Sequence, residues 1–137
     1  MQRLIIDTNV LVAALIQKSY PYFIMNYIPA GKNIKWCISD EIQNEYSEVL
    51  RRCKFLKYRD FSVNAENLLV SIEEVTDKYA TAIKLSIIKD SSDNKFLELA
   101  ATCKADFLIT GNTNDFTMSS FGRTKIVTPK EYWENCR

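Results

Sequence analysis

Apolar residues occur along the chain in two kinds of run, and together these predict alternating strands and helices. Four short runs are almost continuously apolar, which is typical of strands covered on both faces of a sheet. Longer segments between them repeat apolar residues every three or four positions, as amphipathic helices do. The predicted strands are Leu4 to Ile6, Ile34 to Ile38, Phe107 to Ile109 and Lys125 to Val127, and the predicted helices span residues 9–17, 21–30, 40–52, 62–75, 93–103 and 129–135.

This alternation predicts the fold class. Parallel strands need long crossover connections, which are usually helices, so strands that alternate with helices form a mainly parallel sheet. We therefore expect a single α/β domain over residues 1–137, a three-layer α/β/α sandwich of Rossmann-like type with a mainly parallel central sheet. One stretch, residues 78–89, stays ambiguous, because Ala82 to Ile88 suits either a strand or the end of a helix.

Composition agrees with a globular domain and restricts its location. The chain of 137 residues is 47% hydrophobic and 26% charged, and its net charge is +1. Its longest apolar run, Val10 to Ile16, is far shorter than the roughly 20 residues that span a bilayer, and no basic leader precedes it. We expect a cytoplasmic protein that does not associate with membranes.

The absence of histidine excludes several kinds of chemistry. Catalysis by Ser-His-Asp or Cys-His groups is impossible, and the glycine-rich motifs that bind nucleotide phosphates do not occur. Four scattered cysteines, with no C-x-x-C pair and no histidine, favour reduced thiols over a zinc site. An enzyme of this composition would rely on carboxylates and a metal ion.

Polar residues follow three of the predicted strands. Asp7 directly follows the first strand, Ser39 and Asp40 follow the second, and Thr110 to Asp115 follow the third. The carboxyl ends of parallel strands lie at one edge of a sheet, and α/β proteins bind ligands in the crevice beyond that edge. The sequence therefore predicts a functional site there.

Two helical acids are candidates for the same crevice. Glu45 lies about 40° from Val49 on a helical wheel, at the edge of the apolar stripe, although an acid there is often only a surface residue. Asp93 lies in the middle of the buried face of its helix, in the first turn. It could serve as an N-cap, but Ser91 and Ser92 already offer capping hydroxyls.

These residues together indicate a metal site. Asp7, Glu45, Asp93 and either Asn112 or Asp115 would meet at one rim of the sheet. Crowded carboxylates raise one another's pKa and cost stability unless a cation lies among them. Oxygen ligands without histidine or cysteine favour Mg²⁺ or Mn²⁺, ions that can activate water for attack on a phosphate.

A basic and aromatic segment, RRCKFLKYR, begins within the last two residues of the third predicted helix and continues beyond it. Its cations alternate with aromatic rings, which suits contact with phosphates and stacking on bases. Cations at a helix end are equally well explained by the helix dipole, so both interpretations stay open. The candidate nucleic-acid-binding residues are Arg51, Arg52, Lys54, Lys57 and Arg59.

Four ordered blocks of the chain resemble PIN-domain ribonucleases, especially the bacterial and archaeal toxins of type II (VapBC-like) toxin-antitoxin pairs. The blocks are LIIDTNVLVAAL, SDEIQNEYSEVLRR, KDSSDNKFLELAATCKADFLITGNTNDF and KIVTPKEYW. The resemblance implies a parallel-sheet sandwich and Mg²⁺- or Mn²⁺-dependent hydrolysis of RNA phosphodiester bonds. It also implies a homodimeric toxin that a cognate antitoxin protein neutralises.

The resemblance assigns roles to particular residues. Asp7 and Asp93 would bind the metal directly, and Glu45 would bind it through water or orient the nucleophile. Thr8 and Asn9 would fix the geometry of Asp7.

The fourth acid departs from the usual family pattern. The turn Thr110-Gly111 is followed by Asn112 where an aspartate is more common, and Asp115 could supply the missing carboxylate as catalyst and metal ligand. Thr110 and Asn112 would otherwise position the substrate. This departure leaves open whether one or two metal ions bind.

Two other functions fit parts of the sequence. A phosphatase of the haloacid dehalogenase type also begins with a strand and an aspartate, but its second aspartate is replaced here by Asn9. A catalytically inactive protein-binding or RNA-binding module on the PIN scaffold would explain the altered fourth acid.

Overall fold

The computed structural model describes residues 1–81, 93–111, 116 and 118–137. Within these ranges, six strands form one sheet in the order β3-β2-β1-β4-β6-β5. The pairs from β3 to β6 are parallel, and β5 joins β6 antiparallel at the edge. The strands are β1 (Gln2–Ile6), β2 (Ile34–Ile38), β3 (Thr76–Lys78), β4 (Phe107–Ile109), β5 (Ser120–Phe121) and β6 (Thr124–Val127).

Helices connect these strands and cover the sheet, which confirms the predicted α/β sandwich with a mainly parallel sheet. Each predicted helix is present with boundaries within two residues of the prediction, except at the C-terminus, where a short α-helix continues as a π-helix. The helices are α1 (Thr8–Ile16), α2 (Tyr20–Ala30), α3 (Asp40–Leu50), α4 (Phe61–Val75), α5 (Asn94–Cys103) and α6 (Pro129–Glu131), followed by the π-helix Tyr132–Cys136.

The first strand, β1, lies in the middle of the sheet. It pairs in parallel with β2 on one side, through Leu4 and Trp36, and with β4 on the other, through Ile5 and Leu108. Leu4, Ile5 and Ile6 are fully buried, as expected for a strand that helices cover on both faces. The chain after β1 leads toward β2, while β4 lies on its other flank, so the end of β1 is a topological switch point.

The two edge strands of the sheet, β3 and β5, are only three and two residues long. The edge strand β3 is polar, and an ion pair of 3.1 Å joins its Asp77 to Lys35 of β2. The hairpin from β5 to β6 turns at Gly122, whose φ of +57° suits glycine. The ambiguous segment Ala82 to Ile88 lies outside the described residues.

Two further predictions concern cysteines and membranes. Cys37 and Cys103 are buried, Cys53 is exposed and Cys136 is partly exposed, and none of these four described cysteines is in a disulfide. In the described part of the chain, no helix is long and apolar enough to cross a membrane.

Candidate active site

A cleft of about 630 Å³ opens at the carboxyl end of β1. Acids from three separate elements line it: Asp7 at the end of β1, Glu45 on α3 and Asp93 at the start of α5. The same cleft is also lined by Thr8, Asn9, Val12, Ala13, Ile16, Gln17, Val49, Arg52, Lys54 and Phe55. The structure therefore brings together three of the acids that the sequence singled out.

Asp7 is held from the neighbouring strand. Its backbone N–H donates to the carbonyl of Ile109 over 2.9 Å, which continues the ladder from β1 to β4. Its Oδ2 accepts a hydrogen bond of 2.7 Å from the hydroxyl of Thr110, a residue that is fully buried. Asp7 itself is only 6% exposed. The end of β4 thus fixes the orientation of this carboxylate.

Glu45 is held by two partners. The hydroxyl of Thr8, the first residue of α1, donates to its Oε2, and the ammonium of Lys95 lies 2.6 Å from its Oε1. The side chains of Lys95 and Glu45 are only 17% and 19% exposed. Both carboxylate oxygens of Glu45 are therefore engaged within the protein.

Asn9 connects the beginning of α1 to the turn after β4. Its Oδ1 accepts a hydrogen bond of 3.1 Å from the backbone N–H of Gly111. A Cβ atom at Gly111 would lie 3.3 Å from that oxygen, so the close approach favours glycine. Thr8 therefore contacts Glu45, and Asn9 contacts Gly111. The residue that contacts the Asp7 carboxylate is Thr110.

Asp93 stands at the N-cap position of α5, with φ −87° and ψ −16°. In the described structure its side chain makes no capping hydrogen bond to the first turn of that helix. An N-cap residue usually has extended backbone and caps through its side chain. Asp93 therefore does not cap α5 through its side chain, a role that the sequence left open. It lines the cleft.

The metal prediction can be compared with these donors. Among the described residues, no group of three or more Asp, Glu or Cys side chains is placed to hold one ion. Mg²⁺, however, is commonly bound through one or two carboxylates and retains several waters. Asp7 and Asp93 offer such oxygen donors in one cleft, so the donor chemistry fits Mg²⁺ or Mn²⁺. Asn112 and Asp115 lie outside the described residues.

Tyr46, a residue of α3 that the sequence does not single out, supports the end of β1. Its hydroxyl donates to the carbonyl of Ile6, the residue before Asp7, and its side chain is fully buried. Burial raises the pKa of Tyr46 well above its ordinary value, and the negative charges of Asp7 and Glu45 act in the same direction. Tyr46 therefore remains a neutral hydrogen-bond donor.

The basic segment divides between two surfaces. Arg52 and Lys54 line the acidic cleft beside Phe55. Arg51 does not line the cleft. It forms a bidentate ion pair with Glu66, in which its Nε and Nη2 atoms lie 2.7 and 2.9 Å from the two carboxylate oxygens.

The two remaining cations of the segment, Lys57 and Arg59, also lie outside the cleft lining. The ammonium of Lys57 lies 5.3 Å from the ring centre of Tyr58, and Arg59 is 3.8 Å from exposed Asp60. Only part of the predicted basic segment therefore borders the acids.

Comparisons with a family model and with solved structures both gave matches. A family model of the PIN domain matches residues 3–114. A solved structure, VapBC2 from Rickettsia felis bound to a DNA fragment from its promoter, is similar with a TM-score of 0.60 and 14% identity. The match covers 93% of this chain and 98% of that one. A comparison with curated protein sequences gave no match.

Proposed function

Because the chain belongs to the PIN-domain family, we propose that it is a Mg²⁺- or Mn²⁺-dependent endoribonuclease that hydrolyses RNA phosphodiester bonds. The observation that carries this proposal is the meeting of Asp7, Glu45 and Asp93 in one cleft with two cations and an aromatic ring. Negative ligands for a metal thus lie next to positive groups that suit a phosphate backbone.

Asp7 and Asp93 would hold the ion, and Thr110 would keep the Asp7 carboxylate oriented. A divalent ion held there would supply the charge that polarises a phosphate and makes a water more acidic. Glu45 would orient that water, since Thr8 and Lys95 hold its carboxylate in place. Asp115 or Asn112, which follow β4 in the sequence, would complete the site.

The border of the cleft would bind the RNA strand. Arg52 and Lys54 would contact backbone phosphates, while the buried ring of Phe55, stacked on Phe61, would support the cleft wall beside them. A groove bordered by cations suits the backbone of single-stranded RNA, which we propose as the substrate.

We further propose that the nuclease is the toxin of a toxin-antitoxin pair. This idea is supported by the likeness to a structure determined as a VapBC complex, and it includes a homodimeric, cytoplasmic toxin bound by a cognate antitoxin. Expression of the chain alone should arrest bacterial growth, and co-expression of a small protein from a neighbouring reading frame should restore it. Growth arrest by Asp7→Asn as well would contradict a toxic nuclease.

The direct test is cleavage of end-labelled single-stranded RNA in Mn²⁺. Asp7→Asn and Asp93→Asn should each lower the rate by at least about 10³, the order observed when a key electrostatic group is lost. Asp40→Asn is a matched control, because Asp40 also follows a strand but pairs with Lys78 on the surface. Undiminished cleavage in excess EDTA, or by both site variants, would overturn the proposal.

A second candidate is a non-catalytic RNA-binding module. It is favoured by the finding that the described acids form no group of three around one possible ion position. This candidate predicts RNA binding without cleavage and no effect of Mn²⁺ on the melting temperature.

A further inference from the structure

Lys95 places a fixed positive charge beside the acids of the cleft. It lies in the first turn of α5, two residues after Asp93, and its ammonium is 2.6 Å from Glu45 Oε1. Its side chain is mostly withdrawn from solvent, unlike the exposed ion pairs of the molecule such as Lys78 with Asp40. An ion pair in such a position is less screened by water than a surface pair.

The contacts of Glu45 determine what it can do. One of its oxygens faces the Lys95 ammonium and the other accepts from the Thr8 hydroxyl. Direct binding of a metal ion by Glu45 would have to compete with both partners. The ion pair also cancels the charge that would otherwise attract a divalent cation to Glu45.

We propose that Lys95 is a positioning residue that keeps Glu45 from binding the metal directly and holds its carboxylate where it can orient the attacking water. This inference rests on the proposed nuclease function. The metal would then be held by Asp7 and Asp93, and the affinity of the cleft for it would be set in part by the Lys95 charge. Lys95 would act through Glu45 and not through the RNA.

The charge of the pair gives a quantitative test in four proteins. The wild-type pair is neutral, Glu45→Gln leaves one positive charge, Lys95→Met leaves one negative charge, and the double variant is neutral again. Mn²⁺ affinity, measured by isothermal titration calorimetry without RNA, should fall about tenfold in Glu45→Gln and rise about tenfold in Lys95→Met. The double variant should bind Mn²⁺ as the wild type does.

The alternative, Glu45 as a direct metal ligand, gives a different pattern. The double variant would then lack a ligand and bind Mn²⁺ much more weakly than the wild type. Either that result or unchanged affinity in Lys95→Met would overturn the inference. The double variant also tests the idea if Lys95→Met does not fold, because it leaves no unpaired charge behind.

Kinetics provide a second measurement. Lys95→Met should lower kcat for RNA cleavage at least tenfold with little change in KM, because Glu45 would no longer be held for the water. Lys95→Arg keeps the charge and should restore most of kcat, whereas Lys78→Met, which breaks a surface pair, should change neither constant.

The two proposals fail in distinguishable ways. A wild-type protein that neither binds Mn²⁺ nor cleaves RNA overturns the proposed nuclease function, and this inference with it. A wild-type protein that does both, with variants that depart from the charge pattern, overturns the role of Lys95 alone.

Discussion

Replacing Tyr46 with Phe removes one hydroxyl from the fully buried contact between α3 and the end of β1. The carbonyl of Ile6 then loses the hydrogen bond from Tyr46 in a place that water does not reach. An unsatisfied buried acceptor costs about 1–3 kcal/mol. A domain of 137 residues unfolds with an entropy of about 0.29 kcal/mol/K, so the melting temperature should fall by about 3–10 °C.

The same variant makes a prediction about pH. The pKa of Tyr46 is raised in the folded protein, whereas in the unfolded chain it titrates near 10. Above pH 10 the unfolded wild type releases a proton that the folded protein keeps, so its stability falls as the pH rises. By pH 11 this costs the wild type about 1.4 kcal/mol, and the Phe variant does not have this loss.

Urea denaturation at pH 8 and at pH 11 measures both effects. The wild type should have the higher free energy of unfolding at pH 8, by about 1–3 kcal/mol, and this difference should be smaller by about 1.4 kcal/mol at pH 11. Tyr58→Phe is the control, because its ring is partly exposed against Phe61 and the change should cost under about 0.5 kcal/mol. Equal stability of wild type and Tyr46→Phe at pH 8 would refute the reasoning.

Three other changes test the cleft. Thr110→Val removes the hydroxyl that donates to Asp7 and should slow RNA cleavage about tenfold. Thr124→Val is the control, because it removes a buried hydroxyl that donates to the carbonyl of Ala105, and it should not slow cleavage. Equal cleavage rates in the two variants would contradict this role of Thr110. Arg52→Ala should weaken RNA binding measured by fluorescence anisotropy, and should reduce by about 1 the slope of the logarithm of the binding constant against the logarithm of the salt concentration. Arg51→Ala should leave both the binding constant and this slope unchanged. Mn²⁺ at about 100 times its dissociation constant should stabilise the fold by about 2.7 kcal/mol, measured as a rise in the melting temperature. If the melting temperature of Asp7→Asn rises as much, the metal binds at a different site.

The strands that could be predicted from sequence are those whose residues are buried. Ile34–Ile38 and Phe107–Ile109 are predicted with their observed boundaries, because strands that helices cover on both faces are almost continuously apolar. Thr76–Lys78 was missed because an edge strand can be polar and still pair on one side. Ser120–Phe121 was missed because two residues are too few to show a pattern.

In the candidate site, the sequence locates residues from the pattern of their own strand or helix, but it does not show contacts between segments far apart in the chain. Asp7 could be located from its own strand, and Glu45 from the apolar stripe of its helix. Lys95 could not be connected with Glu45, because that contact depends on how α5 packs beside α3. Tyr46 looked like an ordinary core residue, since the sequence does not show that its hydroxyl reaches Ile6.

The central position of β1 has a consequence for protein synthesis. Asp7 and Thr110, which face each other across β1 and β4, are 103 residues apart in the chain. At about 5–20 residues per second, a ribosome adds the second of them roughly 5–20 seconds after the first. During that interval the nascent chain has the first strand but lacks the strand that orients its aspartate. Translation would therefore finish most of the chain before the cleft is complete, so any activity of this cleft should arise only late in synthesis.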